Sequence, residues 1–197
     1  MKESGKFVLL ALLAIAAPAF PATADLTVFD DSIENNFSFC LNVAGEITYD
    51  YETVHSGTVA LVVPNKEFYG LDFCNAVSFS MTDYDGVSFW INGGASGGES
   101  MRVVVESSST QDALYADIAS LNGGPLPPNQ WVHVEALFSD PLFIKVAGDG
   151  STGKFNELIF VVESGGSGTF YFDDFTLKAN DIFKNGFESC NPLLPTC

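Results

Sequence analysis

Gly86-Val87-Ser88-Phe89-Trp90-Ile91 is the stretch on which the fold turns. Val87, Phe89 and Ile91 fall on one side of an extended chain, and Ser88 and Trp90 on the other. That period of two marks a half-buried β-strand. Gly93-Gly94-Ala95-Ser96-Gly97-Gly98 stops the run, and a second strong strand candidate comes at 101–106. Working outward in both directions, the same unit recurs. Short β-rich runs lie at 26–30, 46–51, 58–63, 68–73, 77–81, 113–118, 131–137, 142–146, 157–163 and 169–177, separated by Gly, Pro, Asn and Asp clusters. Ile47, Tyr49 and Tyr51 alternate with Thr48 and Asp50 in the same way. Eighteen Phe and abundant Val suit pleated, half-buried surfaces. No segment after residue 24 offers a sustained helical period with caps. About ten strands at this spacing predict an all-β domain, a sandwich of two antiparallel sheets.

The two ends read differently from this body. Lys2 and Lys6 precede an apolar run at 7–17, then Pro18 and the small-residue end Ala22-Thr23-Ala24. This is the tripartite layout of a secretory signal, so residues 1–24 are expected to be a signal peptide and the mature chain to begin near Asp25. A secreted protein, extracellular or periplasmic, is the expectation. The apolar run is shorter than the about 20 residues a bilayer span needs, and no later stretch comes close, so no transmembrane segment is expected. Residues 25–179 read as the β-sandwich domain. From Asn180 the composition changes, and 180–197 reads as a C-terminal tail closed by its own cysteines.

Eight Lys and Arg against 25 Asp and Glu give a formal net charge of −17. Such an acidic protein repels a phosphate backbone, which argues against nucleic acid as a partner and equally against anionic membranes. Neutral ligands and cations stay open. Four cysteines in an exported chain predict disulfides, with three connectivities open. Cys40 and Cys74 lie in the apolar body, while Cys190 and Cys197 bracket the last residues. Cys40–Cys74 with Cys190–Cys197 is therefore favoured, because each bond joins cysteines of similar context. No C-x-x-C spacing of a zinc or redox site occurs. Gly123-Gly124-Pro125-Leu126-Pro127-Pro128 and Gly165-Gly166-Ser167-Gly168 read as loops. None of the glycine stretches is a phosphate loop, since Lys-Ser/Thr does not come after it and no helix begins there.

Five segments, in order, resemble the galactose-binding-like jelly rolls that serve as carbohydrate-binding modules of bacterial polysaccharide-degrading enzymes. Val28-Phe29-Asp30-Asp31 is similar to their first strand, and Val54-His55-Ser56-Gly57-Thr58-Val59-Ala60-Leu61 to an "hsGxxaL" turn and strand. Gly86–Ile91 is similar to "lsFwi", and Asn129-Gln130-Trp131-Val132-His133-Val134 to "xxWxxv". Phe170-Tyr171-Phe172-Asp173-Asp174-Phe175-Thr176-Leu177 resembles the closing "fyiDDvsl" strand. The resemblance frames most of 25–178. The ending Ile182-Phe183-Lys184-Asn185-Gly186-Phe187-Glu188 resembles short "IFxxGFE" tails of exported proteobacterial proteins, whose plain reading is an ordered C-terminal clip.

The resemblance implies a structural calcium held where first and last strands meet. Carried over position by position, it nominates Asp31 and Asp173, with Asp30 and Asp174 as substitutes and carbonyls around 54–56; calcium takes six to eight oxygens of these kinds. It also implies sugar binding, in which an exposed ring stacks on the apolar face of a pyranose and polar side chains take the hydroxyls. Trp90 lies opposite Phe89 and so points outward if Phe89 points to the core. Arg102, Tyr84 and Tyr171 join it as candidate contacts, whereas Trp131, opening a strand after a Pro-rich loop, reads as core.

The case for an enzyme is poor. Gly94-Ala95-Ser96-Gly97-Gly98 fits G-x-S-x-G, but a nucleophile elbow needs a helix after the serine, and a strand comes there instead. His55 and His133 show no paired-ligand spacing, and no compact carboxylate signature of a glycosidase is evident. The reading is a secreted, non-catalytic, carbohydrate-binding-module-like domain that takes a polysaccharide or other glycan. The alternative is the same fold used to contact an extracellular protein, or as an envelope component without a sugar site.

Overall fold

A computed structural model describes residues 24–40, 47–98, 100–110, 112–147, 153–164 and 168–180. The signal region before residue 24 and the proposed Cys190–Cys197 pair lie outside these residues. The strands are β1 (Leu26–Asp30), β2 (Ser32–Ile33), β3 (Phe37–Phe39), β4 (Thr48–Asp50), β5 (Ala60–Pro64), β6 (Gly70–Ser80) and β7 (Tyr84–Asn92). They continue with β8 (Met101–Glu106), β9 (Ala113–Asp117), β10 (Trp131–Leu137), β11 (Ile144–Ala147), β12 (Lys154–Val162) and β13 (Thr169–Ala179), with one helical turn, α1 (Ile118–Leu121). They form two antiparallel sheets, the jelly-roll β-sandwich expected. Among the described residues no helix is long and apolar enough to cross a membrane.

The first sheet runs β10-β7-β13-β1-β2, with β5 also on β13 and β4 on β5. The second runs β11-β9-β8-β12-β6-β3. Alternation decides what lies between them. Val87, Phe89 and Ile91 of β7 and Phe170 and Phe172 of β13 are buried, as are Val103 and Val105 of β8 and Leu158 and Phe160 of β12. Aromatic edges knit the layers together: Phe160 meets Phe89 and Phe172, each at 4.9 Å between ring centres. Edge-on and tilted pairs of this kind add to the area they bury.

Several element limits depart from the sequence reading, each for a local reason. Residues 68–73 and 77–81 belong largely to one strand, β6, because Asn75 is absorbed in the sheet rather than turning it. Its amide donates to the Asn35 carbonyl at 3.0 Å and its oxygen accepts the Val77 N–H at 3.0 Å. Strand β5 starts at Ala60, not Thr58, since the Thr58 and Val59 N–H groups bind a side chain instead of a neighbouring strand. Strands β2 and β3, too short to read in advance, flank a turn at Asn35 and Asn36, both with positive φ, where the chain passes from one sheet to the other. Cys40 and Cys74 are joined, as favoured, with Cα atoms 5.9 Å apart, tying the exit of β3 to β6.

The long closing strand β13 changes partner halfway along one edge. Phe172 pairs with Leu61 of β5, whereas Phe175 pairs with Phe29 of β1. Between them the register slips at Asp173 and Asp174, and Asp174 has a φ of 50°. The bulge re-aims side chains where the ends of β1 and β5 meet.

Candidate functional site

Three carboxylates gather at this bulge, and one turn satisfies them all. Asp173 Oδ2 accepts the N–H of His55 at 2.9 Å and of Ser56 at 3.3 Å, while its Oδ1 accepts the N–H of Asp174 at 2.9 Å. Asp31 Oδ1 accepts the N–H of Thr58 at 2.6 Å and of Val59 at 2.8 Å. Asp174 takes the Ser56 hydroxyl at 2.7 Å on Oδ1 and lies 2.6 Å from His55 Nδ1 on Oδ2. Gly57 has a φ of 62°, and a side chain there would overlap the Asp31 carboxylate, so the turn needs a glycine. Asp173 is fully buried, and burial, helped by the charge of Asp174, holds its carboxyl above the usual range despite the amides of His55 and Ser56. The amides of Thr58 and then Val59 hold the Asp31 carboxyl below it.

These are the residues nominated for calcium, and their present donors decide the fit. A calcium site needs oxygens converging on one point, whereas the turn offers N–H groups to Asp31 and Asp173. Asp30 is exposed at the end of β1. Among the described residues, no three of Asp30, Asp31, Asp173 and Asp174 bring oxygens within 4.8 Å of one another. One trio meets that distance there, Cys40, Asp72 and Cys74, and its two sulfurs are bonded together. As arranged, Asp31 and Asp173 turn oxygens to backbone amides, and the side-chain oxygens of the set do not by themselves make a calcium site.

Trp90 does point outward, beside Asp173 and His133 on the flanking strands. Its ring is nonetheless engaged. His55, brought over the sheet by the turn, stacks on it at 3.7 Å and 16°, and His133 flanks it at 4.9 Å. Trp131 stands edge-on to His55 at 5.6 Å, so it belongs to this surface cluster rather than to the core. The ring nominated for sugar stacking already has a partner within the chain. Tyr171 is on the same outer face, across from Asn92 of β7. Tyr84 packs edge-on against Phe79 at 5.7 Å at the margin of the core, where burial, then Asp83 and Asp25, push its hydroxyl up. It packs at the core margin and stays partly exposed, apart from Trp90 and Arg102.

Arg102 lies on the other sheet, so the four candidate contacts do not form one site. On the outer face of β8 and β9, Arg102 stands opposite Asp117, and Val104 opposite Tyr115. The guanidinium is bonded to Asp117 through Nε at 3.0 Å and paired with Glu163 through Nη1, and it lies 4.1 Å from the centre of the Tyr115 ring. Glu106 faces Glu157 of β12 directly, and burial, then Glu157, raises the Glu106 carboxyl. Arg102, Tyr115 and Glu106 line, with Val104, Val146 and Val161, an open groove of about 390 Å³. Sequence reasoning missed Tyr115 and Glu106. Arg102-Val103-Val104-Val105-Glu106 does show that Arg102, Val104 and Glu106 share a face, but register with β9 and β12 is needed to see what joins them.

No family model matches the chain. Among curated proteins, an endoglucanase of Dictyostelium discoideum is 30% identical over 129 residues, covering 64% of this chain. That match spans 18% of the endoglucanase, so the chain corresponds to under a fifth of its length. Among solved structures, the family 11 carbohydrate-binding module from Clostridium thermocellum, in complex with a β-1,3-1,4-mixed-linked tetrasaccharide, superposes with a TM-score of 0.55. It is 15% identical, over 80% of this chain and 97% of that one. A variant of a family 29 carbohydrate-binding module gives a TM-score of 0.50 at 14% identity, over 79% of this chain and 91% of that one. At such identities the likeness is one of fold: the chain has the two-sheet sandwich of carbohydrate-binding modules.

Proposed function

We propose that the protein is an exported, non-catalytic carbohydrate-binding domain that lays a polysaccharide along the groove on the outer face of β8 and β9. The observation that carries this reading is Arg102, clamped by Asp117 and Glu163 over the Tyr115 ring beside Glu106. A clamped guanidinium and a carboxylate meet sugar hydroxyls without first having to be ordered, Tyr115 supports the guanidinium from below, and the valine-rich floor meets the apolar face of a pyranose. The similarity of fold to a module solved with a β-1,3-1,4-mixed-linked tetrasaccharide supports a neutral β-1,3-1,4-linked oligosaccharide as the first ligand to try. Export rests on residues 1–24, and calcium has no part in this reading.

Calorimetric titration with β-1,3-1,4-linked tetrasaccharide and a panel of soluble polysaccharides tests it. Tyr115→Ala and Arg102→Ala should each weaken binding tenfold or more, a loss of about 1.4 kcal/mol or more. No binding anywhere in the panel, or binding that survives both substitutions, would overturn it.

A further inference from the structure

Phe68 stands where a glycine is expected. Its N–H donates to the Val162 carbonyl at 2.8 Å, and the Val162 N–H donates to the Tyr69 carbonyl at 2.9 Å. Phe68 and Tyr69 together face one residue of β12, which makes a β-bulge at the entrance to β6. The Tyr69 N–H also donates to the Lys66 carbonyl at 3.0 Å, so Phe68 is the third residue of a tight turn. Its φ is 65°, whereas Glu67 before it keeps a negative one. In a type II turn, and in the bulge it opens into, glycine fills this place because a side chain strains the backbone there.

The chain puts a bulky ring at this place and gains little packing from it. Phe68 is 64% exposed, while its neighbour Tyr69 packs against the core. A strained backbone that holds an aromatic ring out in solvent points to a contact made outside the fold.

The surroundings give the chemistry of that contact. β12 lies between β6 and β8, so the two outer strands are about 10 Å apart. On the β8 side, Arg102 pairs with Val161 of β12, and on the β6 side Phe68 borders Val162. Glu163, the next residue, pairs with the Arg102 guanidinium and accepts the Ser100 hydroxyl at 3.2 Å. A guanidinium, a carboxylate and an exposed ring thus come at the ends of three neighbouring strands. The first two suit the hydroxyls of a sugar, and the ring suits the apolar face of a pyranose.

We infer that Phe68 is a stacking platform for a sugar ring beyond the groove, so that a glycan passing Arg102 and Glu163 lays a further pyranose on it. The inference rests on the glycan reading of the groove and adds a direction to it: the ligand crosses from β8 over the end of β12 to β6.

Calorimetric titration of wild type, Phe68→Gly, Phe68→Trp and Arg102→Ala with the soluble polysaccharide of β-1,3-1,4 linkage tests it, with a thermal melt of each. Phe68→Gly suits the turn but removes the ring. It should melt no lower than wild type and bind about fivefold more weakly or worse. Phe68→Trp keeps a ring and should bind as wild type does. Binding by Phe68→Gly within about twofold of wild type, with binding lost in Arg102→Ala, would overturn this inference and leave the groove reading standing. Weak binding by Phe68→Trp, or a melting temperature several degrees lower in Phe68→Gly, would make Phe68 a structural residue and overturn it too. No binding by the wild type would overturn both readings.

Discussion

The two outer faces of the sandwich use similar residues in opposite ways. On the first sheet, an outward tryptophan, two histidines and three aspartates are satisfied by one another and by the turn at 55–59. On the second, Arg102 and Tyr115 are held in place by neighbours and still line an open groove. An exposed aromatic position is therefore not evidence of a binding platform until the loops are placed. Both faces pair their rings within the chain, and what distinguishes them is the groove left beside Arg102 and Tyr115.

The largest expected effect lies on the closed face. Asp173→Ala leaves the N–H groups of His55, Ser56 and Asp174 without their acceptor, and should cost about 3 kcal/mol in denaturant unfolding. Glycan affinity should stay within twofold. A loss of affinity with little loss of stability would reverse the assignment of the two faces.

Trp90→Ala comes next, at about 2 kcal/mol, because a half-buried ring that packs on His55 is lost. It too should leave glycan affinity unchanged. Loss of binding on this substitution alone would move the sugar site to the first sheet.

Asp31 on the closed face and Glu106 on the open face should answer acid with opposite sign. Asp31 titrates below its ordinary value of 3.8 when folded, so its contribution is present above that value and lost as pH falls through the folded one. Glu106 titrates above its ordinary value of 4.5, so its ionisation penalises folding at neutral pH and the penalty disappears as pH falls. Asp31→Asn should therefore lower the melting temperature at neutral pH, by an amount that shrinks below pH 3.8. Glu106→Gln should raise it slightly, by an increment that fades toward pH 4.5. Increments independent of pH would remove the electrostatic part of the comparison.

How much of this could be read from the sequence depends on what is local. The period of two in 86–91 and 101–106 marks which side chains enter the core, and similar contexts favoured the Cys40–Cys74 bond among three connectivities. The bulge at Asp173 and Asp174 breaks that period, and its meaning depends on β5 giving way to β1 along the same edge. His55 reaches Asp174 across 119 residues, and no local pattern announces such a contact. The same holds for Tyr115, whose place beneath Arg102 is set by strand register alone.

The smallest expected effect concerns calcium. With Asp31 and Asp173 bound to amides, adding chelator or millimolar calcium should shift the melting temperature by less than about 1 °C. A rise of several degrees with calcium and not with magnesium would show that the carboxylates exchange their amides for an ion.

The central claim, that glycan binds the open face and not the closed one, is tested most directly by nuclear magnetic resonance on the wild-type protein during titration with β-1,3-1,4-linked tetrasaccharide. The chain has two tryptophans, and both indoles, Trp90 and Trp131, belong to the closed face. The account predicts shifts in the Arg102 side-chain Nε–H and in the backbone amides of 102–106 and 113–117, with both indole N–H signals still. Indole signals that move while the Arg102 signal stays put would contradict it.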